Sequence, residues 1–219
     1  MNDMAAAEKA CITAFSKVTA TISHEIKNAL SIINENAGLL DDLALMTLPE
    51  EGIDPERVKS AAATIARQVS RANTIMGNVN KFAHSADTPI SRDSLRSIST
   101  LLVALAQRQA LSNNVTITLE CAADIEVNTY VLHLETVLYL MLRSIIDQSV
   151  DGEPLRIDIG RLNEDDASVS FTTDAVSQQT AGQFSDHSLE VLLSLLKGSV
   201  EVSGNVLTIT FCSDIERTQ

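Results

Sequence analysis

The stretch Ser23-His24-Glu25-Ile26-Lys27-Asn28 lies in the middle of a long helical pattern. Apolar residues recur on both sides of it at spacings of four and three, which is typical of the seam of a helical bundle. These seam positions are Cys11, Phe15, Val18, Ile22, Ile26, Ala29, Ile33, Ala37 and Leu40. His24 follows a seam position by two residues, about 200° around the helix, so the pattern predicts that it faces solvent. Glu25 adjoins it, and Asn28 lies one turn further along the same face.

Two long helices are predicted around this seam. The first covers roughly residues 4–46 and is followed by a loop at 47–54, where proline and glycine interrupt the pattern. Asp54-Pro55-Glu56 then carries the start signals of a second helix. Its own apolar stripe consists of Val58, Ala62, Ile65, Val69, Ala72, Met76, Val79 and Ala83. One antiparallel hairpin cannot bury both stripes, whereas two hairpins can, so the pattern predicts a homodimer built on a four-helix bundle.

The apolar pattern of the long helices stops at residues 84–91, which we interpret as a linker to a second domain. The predicted domains are therefore 1–86, a helical hairpin, and 92–219. The second domain alternates helical and strand-like segments. The predicted helices are 93–111, 131–149 and 188–197, and the predicted strands are 115–119, 155–160, 167–172, 199–202 and 206–211. The fold class is therefore α+β, with a mostly antiparallel sheet backed by helices as an α/β sandwich.

Composition limits the possible partners. The chain has 219 residues and a formal net charge of −13 at pH 7. This charge argues against nucleic acid, because neutralising phosphates requires clustered lysine and arginine. No apolar run is long enough to cross a bilayer and no signal peptide is recognisable, so we expect a cytoplasmic protein without a membrane partner.

The stretch around His24 resembles the phospho-acceptor box of sensor histidine kinases, whose usual form is His-Glu-(Ile/Leu)-(Lys/Arg)-(Asn/Thr)-Pro-Leu. The proline is replaced here by Ala29, which should leave the helix straighter without touching the chemistry. The order of elements after residue 92 resembles the ATP-binding domain that follows the bundle in these kinases. The resemblance therefore spans nearly the whole chain and implies that residues 1–86 form a dimerisation and phospho-acceptor domain.

The nucleotide-binding boxes of that family are degraded in this sequence. The asparagine box would fall at residues 140–148, where Leu140 and Ser144 occupy the two asparagine positions. The Asp-x-Gly-x-Gly box would fall at 173–177, which keeps only the aspartate, and the phosphate loop at 184–189 contains no glycine. A phosphate loop needs backbone N–H groups at close range, often with φ > 0, which side chains obstruct. We therefore expect no nucleotide, no metal and no cofactor of the protein's own.

This combination resembles the histidine phosphotransferases of the degenerate-kinase type, dimers that pass a phosphoryl group between aspartates of response-regulator receiver domains. The resemblance implies that His24 is the nucleophile and phosphoryl carrier and that Glu25 is a base or orienter for its imidazole. Asn28 matches the position that holds water for dephosphorylation of a bound receiver. The receiver is expected to bring the Mg²⁺. The residues expected to contact the docked receiver are Lys27, Ser31 and Glu35.

Two other functions remain open at this point. A non-catalytic pseudokinase would bind a kinase or a response regulator through the same bundle, with His24 as a relic. An active ATP-dependent histidine kinase would need an unusual nucleotide site, and the missing glycines disfavour it.

Overall fold

The computed structural model describes residues 3–46, 52–121, 123–149, 152–176 and 186–216. Within these ranges the helices are α1 (Asp3–Met46), α2 (Pro55–His84), α3 (Leu95–Ser112), α4 (Val131–Gln148) and α5 (His187–Leu195). The strands are β1 (Ser91–Ser94), β2 (Thr116–Cys121), β3 (Glu126–Thr129), β4 (Pro154–Arg161), β5 (Asp166–Thr172), β6 (Ser199–Ser203) and β7 (Val206–Cys212). The predicted α+β class, with a long helical hairpin followed by a sheet, is confirmed.

The chain divides into two compact units. The hairpin unit comprises residues 18–80, which hold most of α1 and α2. The sheet unit comprises the chain from Lys81 onward together with the residues up to Lys17, so the first four turns of α1 belong to it. The predicted division into domains 1–86 and 92–219 concerns parts of the chain that fold independently, and it stays a prediction.

The hairpin unit shows the helix signals expected from the sequence. Asp54 caps α2, because its Oδ1 accepts a hydrogen bond from the backbone N–H of Glu56 at 2.9 Å. The stripes, however, are only partly buried in the single chain: Val18 and Ala29 are fully buried, whereas Val69 is 45% exposed. Ala37, a predicted seam residue, is also exposed. A considerable apolar surface of this unit therefore remains in contact with water.

The sheet unit is built on a five-stranded sheet with the order β2-β4-β5-β7-β6. Strands β4, β5, β7 and β6 pair antiparallel, while β2 pairs parallel with β4, so the sheet is mostly antiparallel as predicted. One face is buried because apolar residues alternate along the strands. Side chains that meet between helices α3 and α4 and this face are Leu102, Leu138, Leu142, Ile157, Val169 and Phe171.

A second, two-stranded sheet was not predicted. Strands β1 and β3 pair antiparallel, with Ser91 opposite Thr129 and Ser94 opposite Glu126. Each strand has four residues and a largely polar sequence, so neither shows the apolar alternation by which strands are recognised. The predicted linker at 84–91 is therefore wrong at both ends, since His84 is the last residue of α2 and Ser91 begins β1.

The helix ends that belong to the sheet unit pack on α4. Phe82 of α2 is 1% exposed, and its ring lies 6.5 Å from that of Phe15 and 6.3 Å from that of Tyr139. Lys81 Nζ donates a hydrogen bond to Ser97 Oγ at 2.5 Å. Phe15, predicted as a seam residue, is instead 46% exposed and stacks on Phe82. The buried residues in the first turns of α1 are Ala6, Ala7, Ala10 and Ala14.

Candidate functional site

His24 stands on the exposed side of α1. It follows Ile22, which is 8% exposed, by two residues, and its own side chain is exposed. It makes no hydrogen bond or ion pair with any residue that the structure describes. The imidazole can therefore be approached by a second molecule without first breaking a contact within the described chain.

Glu25 is held across the hairpin by an arginine that the sequence analysis missed. Arg71 of α2 places Nη2 3.1 Å from Glu25 Oε2. The Glu25 side chain is only 14% exposed, and that of Arg71 is 46% exposed. Glu25 lies about 100° around the helix from His24, towards the seam, which brings its carboxylate within reach of α2. A charge search along α2 opposite residue 25, in an antiparallel register, would have found Arg71.

The other predicted site residues are all exposed on α1. Asn28 lies one turn after His24, and Lys27, Ser31 and Glu35 follow along the solvent side of the same helix. The structure therefore brings the predicted residues onto one accessible stretch of helix. Their roles in water positioning and receiver contact stay predictions.

The two positions of the degraded asparagine box face an open cavity of about 220 Å³ in the sheet unit. Leu140 offers no ligand atom there, and Ser144 Oγ accepts a hydrogen bond from Gln148 Nε2 at 3.1 Å. The opposite wall comes from the first turns of α1, an arrangement that the sequence did not predict. The α1 residues that line the cavity are Lys9, Ala10, Thr13 and Lys17.

A cysteine joins α1 to α4 beside this cavity. Thr136 Oγ1 donates a hydrogen bond to Cys11 Sγ at 3.6 Å. Burial raises the pKa of the Cys11 thiol. The thiol therefore stays protonated at neutral pH and acts as a packing group.

The aspartate of the predicted adenine box is engaged with a hairpin turn. Asp174 is exposed, and its Oδ1 accepts a hydrogen bond from Asn205 Nδ2 at 3.3 Å. The backbone N–H of Thr173 donates to the Asn205 carbonyl at 3.1 Å. Residues 184 and 185 of the predicted phosphate loop lie outside the described residues. Asp186 is the N-cap of α5, and the predicted loop residues 187–189 form the first turn of that helix.

A metal centre has no candidate within the part of the chain that the structure describes. No three His, Cys, Asp or Glu side chains come together there in a way that could hold an ion. At the two positions that match the asparagines of the kinase box, Leu140 offers no ligand atom and Ser144 offers a hydroxyl that accepts a hydrogen bond from Gln148. These two described residues therefore do not reproduce the asparagine pair, and the absence of a nucleotide or metal of the protein's own stays a prediction.

Comparisons with known proteins agree with the fold. No protein-family model matches the chain, and no curated protein sequence does. A nucleotide-free catalytic domain of histidine kinase ThkA matches with a TM-score of 0.51 at 12% identity, covering 59% of this chain and 99% of that one. The sheet unit has the fold of a histidine kinase catalytic domain. At this identity the likeness concerns fold alone.

Two longer structures match with lower scores. The Acinetobacter baumannii histidine kinase AdeS gives a TM-score of 0.47 at 14% identity, covering 87% of this chain and 98% of that one. A crystal structure of histidine kinase ThkA in complex with response regulator protein TrrA gives 0.49 at 15% identity, covering 92% and 63%.

None of the helices in the described ranges combines the length and the apolar character that a bilayer crossing requires.

Proposed function

We propose that this protein is a histidine phosphotransferase of a two-component phosphorelay, which carries a phosphoryl group on His24 between receiver-domain aspartates. The observation that carries the proposal is the accessible imidazole of His24, set in a phospho-acceptor-like box on a long hairpin helix. The protein acts in the cytoplasm as a homodimer, and its partners are the receiver domains of response regulators.

The transfer proceeds in two steps, first onto His24 and then from His24 to the second receiver. A lone pair of the neutral imidazole forms an N–P bond to the aspartyl phosphate, the acyl P–O bond breaks, and the aspartate carboxylate leaves with the electron pair. The other ring nitrogen of His24 releases its proton to Glu25 or to solvent. The carboxylate of a second receiver then attacks the phosphorus, the N–P bond breaks, and the ring regains a proton. Both steps depend on alignment and charge neutralisation, to which the receiver contributes its Mg²⁺.

The remaining residues of the box assist this chemistry. Glu25 orients the imidazole or accepts its proton. Asn28 positions water when a bound receiver is dephosphorylated. Lys27, Ser31 and Glu35 contact the docked receiver along the exposed face of α1.

Phosphorylation from ATP has little support in the sheet unit. Leu140 and Ser144 stand where the family has magnesium-binding and phosphate-binding asparagines, and the first turns of α1 form the opposite wall of their cavity. Asp174, the aspartate of the predicted adenine box, already accepts a hydrogen bond from Asn205. The phosphoryl group on His24 must then come from another protein.

Two incubations distinguish a phosphotransferase from an active kinase and from a non-catalytic binding protein. The protein is mixed with labelled ATP and, separately, with labelled phosphorylated receiver domains from the source cell. Label from a receiver but not from ATP is the expected result, and it is abolished by His24→Gln. Label from ATP would identify an active kinase. Label from neither would identify a non-catalytic binding protein.

A further inference from the structure

Arg71 is the cation that the fold places on Glu25, the residue that directly follows the candidate phosphoryl acceptor. Between Ala14 and Asn34 of α1, Glu25 is the one acidic residue, and it directly follows His24. Arg71 reaches it from α2, with 3.1 Å between Nη2 and Oε2. This ion pair joins the two helices at the level of the imidazole.

Partial burial makes this pair different from an ordinary surface ion pair. The Glu25 side chain is 14% exposed, so loss of Arg71 would leave a carboxylate that is poorly solvated. Arg71 is 46% exposed, so water screens its charge and the pair adds little to the stability of the fold. The main effect of Arg71 is therefore on where the Glu25 carboxylate lies.

The charge of the incoming group makes the pair relevant to transfer. A phosphoryl group carries a charge of about −1.5 to −2 near neutral pH. A carboxylate without a counterion beside the reacting imidazole would repel that group. In the proposed mechanism Glu25 orients the ring or takes its proton, and a carboxylate that could rotate freely would do either less efficiently.

We propose that Arg71 is a positioning residue for phosphoryl transfer: it fixes and charge-balances Glu25, and through Glu25 it sets the surroundings of the His24 imidazole. This inference rests on the proposed function of His24. Nothing in the phospho-acceptor box itself points to α2, since the arginine lies 46 residues away in the chain from its partner.

The matched control is Arg67, one turn earlier on α2. Its Nη2 donates to Thr64 Oγ1 at 2.8 Å within the same helix. Arg67→Met removes an exposed cation of the same type from the same helix without touching Glu25. Arg71→Lys keeps the charge, and Arg71→Met removes it while keeping an apolar stem of similar length.

The experiment measures the initial rate of His24 phosphorylation in the full chain with two donors. One is the receiver domain that labels the wild-type protein, and the other is potassium phosphoramidate. In the second reaction the imidazole forms the N–P bond while the P–N bond of phosphoramidate breaks and ammonia leaves. Because phosphoramidate needs no docking surface, it separates positioning from receiver binding.

We expect Arg71→Met to slow labelling from both donors by roughly tenfold, with Arg67→Met within twofold of wild type and Arg71→Lys recovering most of the rate. In the Glu25→Gln background, Arg71→Met should add little, because the two residues act as one unit. Should Arg71→Met misfold by circular dichroism, Arg71→Gln replaces it as the variant without the charge, and it must slow labelling from both donors while Arg71→Lys stays close to wild type.

Three results would overturn the inference. They are an unchanged rate in Arg71→Met, effects of Arg71 and Glu25 that multiply independently, and slowing with the receiver alone, which would make Arg71 a docking residue. Failure of the proposed function looks different: no receiver labels wild type, while the phosphoramidate reaction still tests Arg71.

Discussion

Glu135 of α4 is a carboxyl group that the fold removes from water. The residue is 1% exposed, and its Oε2 has no hydrogen-bond partner among the described residues. Burial raises its pKa from 4.5 to about 7, with a smaller contribution in the same direction from Asp93. A hydrogen bond with the Ser85 side chain and the charge of Lys81 act in the opposite direction. The protonation of the buried Glu135 carboxyl therefore depends on groups at the end of α2.

This coupling predicts a pH-dependent stability. Between pH 4.5 and about 7 the folded protein holds a proton on Glu135 that the unfolded chain has released, so the free energy of unfolding falls as pH rises through that range and levels off above it. The shift corresponds to roughly 3 kcal/mol. Urea unfolding should show that the free energy of unfolding falls less between pH 5 and pH 8 in Glu135→Gln than in wild type. The control is Glu201→Gln, at an exposed glutamate. An equal fall in all three proteins would contradict the prediction.

Single residues were predictable from sequence to different extents. The exposure of His24 follows from helix geometry alone, since two residues beyond a seam position point away from it. The partner of Glu25 follows only once an antiparallel register is assumed, because the contact with Arg71 depends on how two helices joined by a loop are aligned. The burial of Glu135 has no sequence signal: a glutamate within an amphipathic helix ordinarily marks the solvent side.

At the scale of elements, prediction succeeded where periodicity is strong. The predicted helix at roughly 4–46 is observed as Asp3–Met46, and the predicted strands at 199–202 and 206–211 are observed as β6 and β7. Prediction failed for β1 and β3, whose four-residue polar strands are stabilised by each other and carry no apolar pattern. It also did not foresee that α1 up to Lys17 belongs to the sheet unit, since the predicted bundle seam already includes Cys11 and Phe15.

The junction of α1, α2 and α4 in the sheet unit gives the element-scale prediction. Phe82→Ala should destabilise the protein by about 3–5 kcal/mol, because the ring is fully buried between Phe15 and Tyr139. Phe15→Ala, which removes a half-exposed ring, should cost clearly less. Chemical unfolding can be followed by near-UV circular dichroism of tyrosine, since the chain has two tyrosines and no tryptophan. Equal destabilisation by the two substitutions would contradict this packing.

At the scale of the whole molecule, the exposed stripe of α2 predicts self-association. Val58, Val69 and Met76 are 37%, 45% and 45% exposed in the single chain although they repeat at bundle spacing. A second copy that supplies another hairpin would bury them. Val69→Glu should convert a dimer to a monomer in sedimentation equilibrium at micromolar concentration, whereas Ala63→Glu, on the opposite side of α2, should not. A monomeric wild-type protein, or a dimer unaffected by Val69→Glu, would contradict the prediction.

The most direct measurement is to locate the phosphoryl group itself after the protein has been charged by a phosphorylated receiver. Phosphorus NMR and mass spectrometry of the protein, kept at alkaline pH, should find one acid-labile phosphoramidate on His24 and none in His24→Gln. A phosphate on any other residue, or the same modification formed with ATP alone, would contradict the account.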